Sequence, residues 1–125
     1  MACVLIVDDD ESDRLLLESM LKDEHELYFA KNGEEALKLY LRNSIDVVVT
    51  DIKMPRGDGI ELISAIRGLD PDSSIVAISG QKPHKLGIAQ MAGALSILTK
   101  PVSPKLLREA VTQALEQRGG EAPES

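Results

Sequence analysis

Five short apolar runs recur along the chain, and each is followed by a stretch with helical spacing. This alternation constrains the fold more than any other feature. The strands expected from these runs span residues 3–7, 26–30, 46–50, 74–78 and 95–98, the second being the weakest. Uninterrupted apolar strands fit burial on both faces. Strands separated by helices imply a parallel sheet with helices on both sides. The expected class is therefore α/β, a doubly wound five-stranded parallel sheet. The order 2-1-3-4-5 is borrowed from known flavodoxin-like sheets. In that order a crevice opens beyond the C-terminal ends of the first and third strands.

The intervening stretches carry helix signals. Residues 11–22 place Leu15, Leu16, Ser19 and Met20 on one face at 3.6 periodicity. Asn32, with Glu35 three positions on, resembles a capping box for a helix to about Arg42. Asp58 can cap a helix to about Leu69, and Pro71 stops its continuation. A fourth helix is expected at about 85–92. Ser103-Pro104 is a hydroxyl N-cap followed by proline at the first helical position, and starts a helix to about Gln117. Residues 1–118 are expected to form one domain. Residues 119–125 read as a flexible tail or the start of a linker.

Bulk properties narrow the function. The chain has 125 residues, enough for one domain, and a formal net charge of −7. That charge disfavours direct nucleic-acid binding, which needs clustered Lys and Arg. It suits a divalent cation or a basic protein surface. The single cysteine, Cys3, rules out an internal disulfide and reads as a small hydrophobe in a strand. No apolar stretch approaches a membrane span, and the N-terminal run ends in acids rather than a cleavage site. A cytoplasmic protein is expected.

The strand tips carry the chemistry. Asp8 and Asp9 follow Val4-Leu5-Ile6-Val7, and Asp51 follows Val47-Val48-Val49-Thr50. A carboxylate at the end of a buried strand is costly unless a cation meets it. Two unit charges ~4 Å apart repel by about 4 kcal/mol at an effective dielectric near 20. Such a pocket holds a proton or binds a cation, and all-oxygen ligands with room for water suit Mg²⁺. The alternative is that Asp8 and Asp9 only cap the first helix, a task for which Asp10 is better placed. Asp51 is the candidate nucleophile, since a carboxylate can attack phosphorus to give an aspartyl phosphate. Ser79 and Lys100, at two further strand tips, could hydrogen-bond and pair with phosphoryl oxygens.

At these residues the chain resembles the receiver domains of two-component response regulators. The likeness is carried by VLIVDDD at 4–10, VVVTDIKMPRGDG at 47–59, IVAISG at 75–80 and AGALSILTKP at 92–101. It implies a (βα)5 receiver fold and a phosphorylation-controlled switch. By position, Asp51 is the phosphoacceptor, charged by a phosphohistidine of a sensor histidine kinase or a histidine phosphotransfer protein. Asp8 and Asp9 are the metal-binding pair, and the backbone carbonyl of Lys53 is a third protein ligand of Mg²⁺. Ser79 is the hydroxyl that meets the phosphoryl group, and Lys100 is the partner lysine. The resemblance also implies a cis bond before Pro101 that aims Lys100, and a positive φ at Gly59.

Departures from the family pattern bear on mechanism. Many receivers carry Tyr or Phe three residues before the lysine, where this chain has Ile97, so no ring can rotate there. Lys53 and Gln81 stand where side chains flank the phosphoryl group, and they are candidates for setting its lifetime. His25 and His84 lack metal-ligand spacing and read as surface residues.

The leading function is a phosphorylation-controlled binding module that docks to a downstream protein, with no enzymatic turnover beyond its own phosphotransfer and dephosphorylation. It could be a single-domain regulator or a receiver segment of a larger regulator or hybrid kinase. A phosphorylation-independent pseudo-receiver is the alternative. A haloacid-dehalogenase-type phosphatase also uses a strand-end aspartate and Mg²⁺. It needs a second acid two residues on, where this chain has Lys53.

Overall fold

The computed structural model describes residues 2–52, 59–80, 93, 94 and 96–120, with side chains to residue 117. The chain alternates β1 (Cys3–Val7), α1 (Glu11–Leu21), β2 (Glu26–Ala30), α2 (Gly33–Arg42), β3 (Val47–Asp51), α3 (Gly59–Leu69), β4 (Ile75–Ser79), β5 (Ser96–Thr99) and α4 (Pro104–Gly120). The five strands form one parallel sheet in the order β2-β1-β3-β4-β5. The expected helix at 85–92 and the expected cap at Asp58 lie outside the described residues.

The two-residue period of the strands divides the core between the two faces of the sheet. Leu5 and Val7 of β1 join Val48, Ile75 and Ala77 under α2 and α3, with Ala36, Ile63 and Ile66. Val4 and Ile6 point the other way, joining Val47, Val49, Val76 and Ile78 under α1 and α4, with Leu17, Leu107 and Val111. β3 and β4 are buried at every position, as expected of central strands covered on both sides. β5 lies at the sheet edge and is only half-buried.

Helix starts follow the residue types. Asp10 caps α1 by accepting the Asp13 N–H at 3.1 Å. Asn32 caps α2 through the Glu35 N–H at 2.8 Å, and the Glu35 carboxylate reaches back to the N–H of Lys31 at 2.7 Å. That is one residue earlier than a standard capping box. Ser103 accepts the Leu106 N–H at 3.2 Å ahead of Pro104. α4 extends to Gly120, three residues past the expected end at Gln117.

Two sequence expectations need correction. The stripe of Leu15, Leu16, Ser19 and Met20 is not the one that faces the sheet. Leu17 and Leu21 are buried with Met20 packed beside them, and Leu15 and Leu16 are exposed. Apolar residues at 15, 16, 17, 20 and 21 allow either stripe, and packing against α4 and the sheet selects the second. Gly59 does not need a positive φ; among the described glycines only Gly93 has one, at 126°. A Cβ at Gly59 would overlap the carbonyl oxygen of Asp51 and stand 2.7 Å from the Cα of Ile52. Close backbone approach, not dihedral freedom, requires glycine there.

No helix among the described residues is long and apolar enough to cross a membrane.

Candidate functional site at the strand tips

Parallel strands bring their C-terminal ends to one edge. Val7 pairs with Thr50, so the next residues, Asp8 and Asp51, stand side by side. Asp51 pairs with Ile78, which puts Ser79 at the neighbouring tip. The Lys100 N–H donates to the Ser79 carbonyl at 2.8 Å, which carries the ladder one residue past β5. The Lys100–Pro101 peptide bond is cis.

Carboxylate oxygens of Asp8, Asp9 and Asp51 all lie within 4.8 Å of one another. Asp8 is 1% exposed and Asp51 6%, whereas Asp9 is exposed. The turn after β1 fixes Asp8 from two sides. The Asp10 N–H donates to Asp8 Oδ1 at 2.9 Å, and Arg14 Nη1 donates to the Asp8 carbonyl at 2.8 Å. Asp8 Oδ2 is buried and accepts no hydrogen bond. The Lys100 ammonium is its cationic neighbour, at 3.6 Å.

Burial above all, with smaller help from the charges of Asp51 and Asp13, raises the Asp8 carboxyl to about 6 against the opposing pull of the Asp10 N–H and Lys100. Burial by itself would lower the Lys100 ammonium. The hydrogen bond to Asp13 and the charges of Asp51, Asp8 and Asp13 outweigh it and hold the group above the ordinary lysine value. Lys100 is therefore a fixed cation facing a crowded set of acids, one of which resists ionisation.

A buried carboxylate oxygen without a hydrogen bond, next to two further acids, is what a hard cation would relieve. The donor set fits a Mg²⁺-sized ion. A cleft of about 430 Å³ opens beside the acids, lined by Asp8, Asp13, Leu16, Ile78, Lys100 and Pro101.

The structure thus brings Asp8, Asp9, Asp51 and Lys100 together and places Ser79, itself buried, on the adjacent tip. Lys53, Gln81 and His84 lie outside the described residues. Ile97 is half-buried and packs on the core under α2 and α3. His25 is only half-exposed, and its ring Nδ1 is buried with no hydrogen-bond partner, so it is less a surface residue than expected. Cys3 is half-buried with Sγ 3.7 Å from Glu26 Oε1, and burial together with the Glu26 charge raises its thiol pKa. Sequence reasoning missed Asp13, whose Oδ2 is 2.8 Å from Lys100 Nζ. The available signal was an acid one helical turn past the Asp8-Asp9 pair.

A sequence model of the response regulator receiver domain matches residues 4–112. The chain is 38% identical over 115 residues to chemotaxis protein CheY of Halobacterium salinarum, covering 90% of this chain and 95% of that protein. It is 37% identical over 123 residues to response regulator protein PilR of Pseudomonas aeruginosa, covering 97% of this chain. It spans only 28% of the length of PilR. Among solved structures, a CheY-like receiver domain protein from Methanospirillum hungatei JF-1 superposes with a TM-score of 0.91 at 26% identity. That match covers 98% of this chain and 99% of the other.

Proposed function

The chain belongs to the response regulator receiver domain family, and from that membership and the geometry of the strand tips we propose that it is a phosphorylation-controlled switch with Asp51 as phosphoacceptor. The observation that carries the reading is the position of Asp51. It is buried, within 4.8 Å of the Asp8 and Asp9 carboxylates, and 3.4 Å from the Lys100 ammonium.

In the proposed reaction a carboxylate oxygen of Asp51 forms a bond to phosphorus. The P–N bond of a partner's phosphohistidine breaks, and its electron pair returns to the imidazole. The product is a mixed anhydride on Asp51. Hydrolysis forms a bond from water oxygen to phosphorus, breaks the anhydride P–O bond and restores the carboxylate. Lys100 and Ser79 are the donors to the phosphoryl oxygens, and Lys100 needs no deprotonation to serve. Asp8, Asp9, Asp51 and the backbone carbonyl of Lys53 would hold Mg²⁺. When bound, the ion neutralises charge shared between carboxylate and phosphoryl oxygens.

The donors in this reading are a sensor histidine kinase or a histidine phosphotransfer protein. The recipient of the signal is a downstream protein, or a domain joined to this one. Phosphorylation acts as a local charge change that biases a two-state surface. On this reading the chain turns over no substrate other than its own aspartyl phosphate.

The test is incubation with phosphoramidate or acetyl phosphate and Mg²⁺, followed by intact mass. A gain of one phosphoryl group in the wild type, absent in Asp51→Asn, is expected. No gain overturns the reading in favour of a phosphorylation-independent binder, and a gain that persists in Asp51→Asn moves the acceptor elsewhere.

A further inference from the structure

The Lys100 ammonium sits nearer to Asp13 than to either buried acid. Its Nζ is 2.8 Å from Asp13 Oδ2, 3.4 Å from Asp51 Oδ2 and 3.6 Å from Asp8 Oδ2. Of the three N–H donors of the ammonium, Asp13 and Asp51 each accept one, so phosphoryl oxygens formed on Asp51 must compete with the Asp13 carboxylate for the group. Asp13 is outside the trio whose oxygens converge, and its carboxylate is not needed for the α1 cap, which uses its backbone N–H. That N–H bond also fixes the first turn of α1, so the carboxylate is presented from a rigid position.

On the reading that Asp51 is the phosphoacceptor, we propose that Asp13 is a positioning residue that acts through Lys100. Its carboxylate holds the ammonium in the unphosphorylated protein and yields it to phosphoryl oxygens once they form on Asp51.

Exposure decides which acid can let go. The Asp8 side chain is 1% exposed and that of Asp51 7%, so neither can be rehydrated when it loses a cation. Asp13 is 35% exposed and turns to water at little cost. A phosphoryl group adds close to two negative charges and three strong acceptor oxygens. It outcompetes a single half-solvated carboxylate for the ammonium. Asp13 therefore sets how much of the attraction of Lys100 is free for an incoming phosphoryl group.

Replacing Asp13 by Asn keeps the backbone cap and removes the competing charge. The apparent second-order rate constant for phosphoryl gain from phosphoramidate, followed by intact mass at saturating Mg²⁺, should rise about twofold to fivefold, the range of a partly exposed ion pair. Asp13→Glu should restore the wild-type rate. A double-mutant cycle with Lys100→Met separates positioning from simple charge removal. Acceleration by Asp13→Asn should vanish in the Lys100→Met background. If it persists undiminished there, Asp13 acts as a surface charge and the inference is overturned.

A second readout needs no change at position 100. The Nζ resonance of Lys100 should shift in Asp13→Asn, and shift in the wild type on phosphoramidate addition. An unchanged resonance in both cases overturns the inference. Wild type that gains no phosphoryl group removes the phosphoacceptor reading and this inference with it. Wild type that is phosphorylated, with an unchanged rate in Asp13→Asn, removes this inference alone.

Discussion

A side chain on Gly59 would collide with the backbone of Asp51. A Cβ placed there overlaps the Asp51 carbonyl oxygen and lies 2.9 Å from its carbonyl carbon. The Gly59 N–H also donates to the Ile52 carbonyl at 2.8 Å, which ties the start of α3 to the end of β3. The start of α3 and the proposed phosphoacceptor thus share one tightly packed piece of backbone.

Gly59→Ala should therefore act on both stability and chemistry. The clashing atoms are main-chain atoms, so no side-chain rotation relieves them. A loss of about 1–3 kcal/mol is expected from overpacking, read as a lower urea midpoint, together with slower phosphoryl uptake at Asp51. Unchanged stability and rate would show that β3 and α3 can separate without consequence.

The Asp8 carboxyl, raised to about 6, makes stability depend on pH when no divalent cation is bound. An unfolded aspartate loses its proton near ~4. Between those values the folded protein binds more protons than the unfolded chain, so stability falls as pH rises through that window. The full effect is about 3 kcal/mol, and it is complete above pH ~7. Urea unfolding in EDTA should show the falling slope in the wild type, and Asp8→Asn should lack it. The same variant should be more stable than wild type at pH ~7.5 without metal, and should lose most of the stabilisation given by Mg²⁺. An identical slope in both proteins would contradict the assignment of the shift to Asp8.

Ile97 pairs with Ala77 in the sheet and packs on the core under α2 and α3. As a half-buried aliphatic residue it acts by packing. Ile97→Ala should cost about 1–3 kcal/mol, toward the low end because the site is only half-buried. The rate of phosphoryl uptake should stay within about twofold. A large rate change with little loss of stability would make position 97 part of the switch.

Much of this was legible in the sequence, because uninterrupted apolar strands and their polar tips survive without tertiary information. The expected strand boundaries at 46–50, 74–78 and 95–98 fall one residue early. The ladder continues into Asp51, Ser79 and Thr99, polar residues that pair through their backbone and carry no apolar signal to mark them as strand. The core-facing stripe of α1 was ambiguous because its leucines permit two registers. Only contact with Leu107 and Val111 of α4 on the same face of the sheet selects Leu17 and Leu21. The pairing of Asp13 with Lys100 was hidden for another reason. They are 87 residues apart, and their contact depends on the tertiary placement of the first turn of α1 against the residue that follows β5.

The most direct test of the central claim locates the phosphoryl group itself. After treatment with phosphoramidate and Mg²⁺, borohydride reduces an aspartyl phosphate to homoserine, and peptide sequencing by mass spectrometry reads which residue was converted. Homoserine at position 51 alone, dependent on the phosphodonor, is the predicted result. Homoserine at position 8 or 9, or at no position in a protein that has gained phosphate, would contradict it.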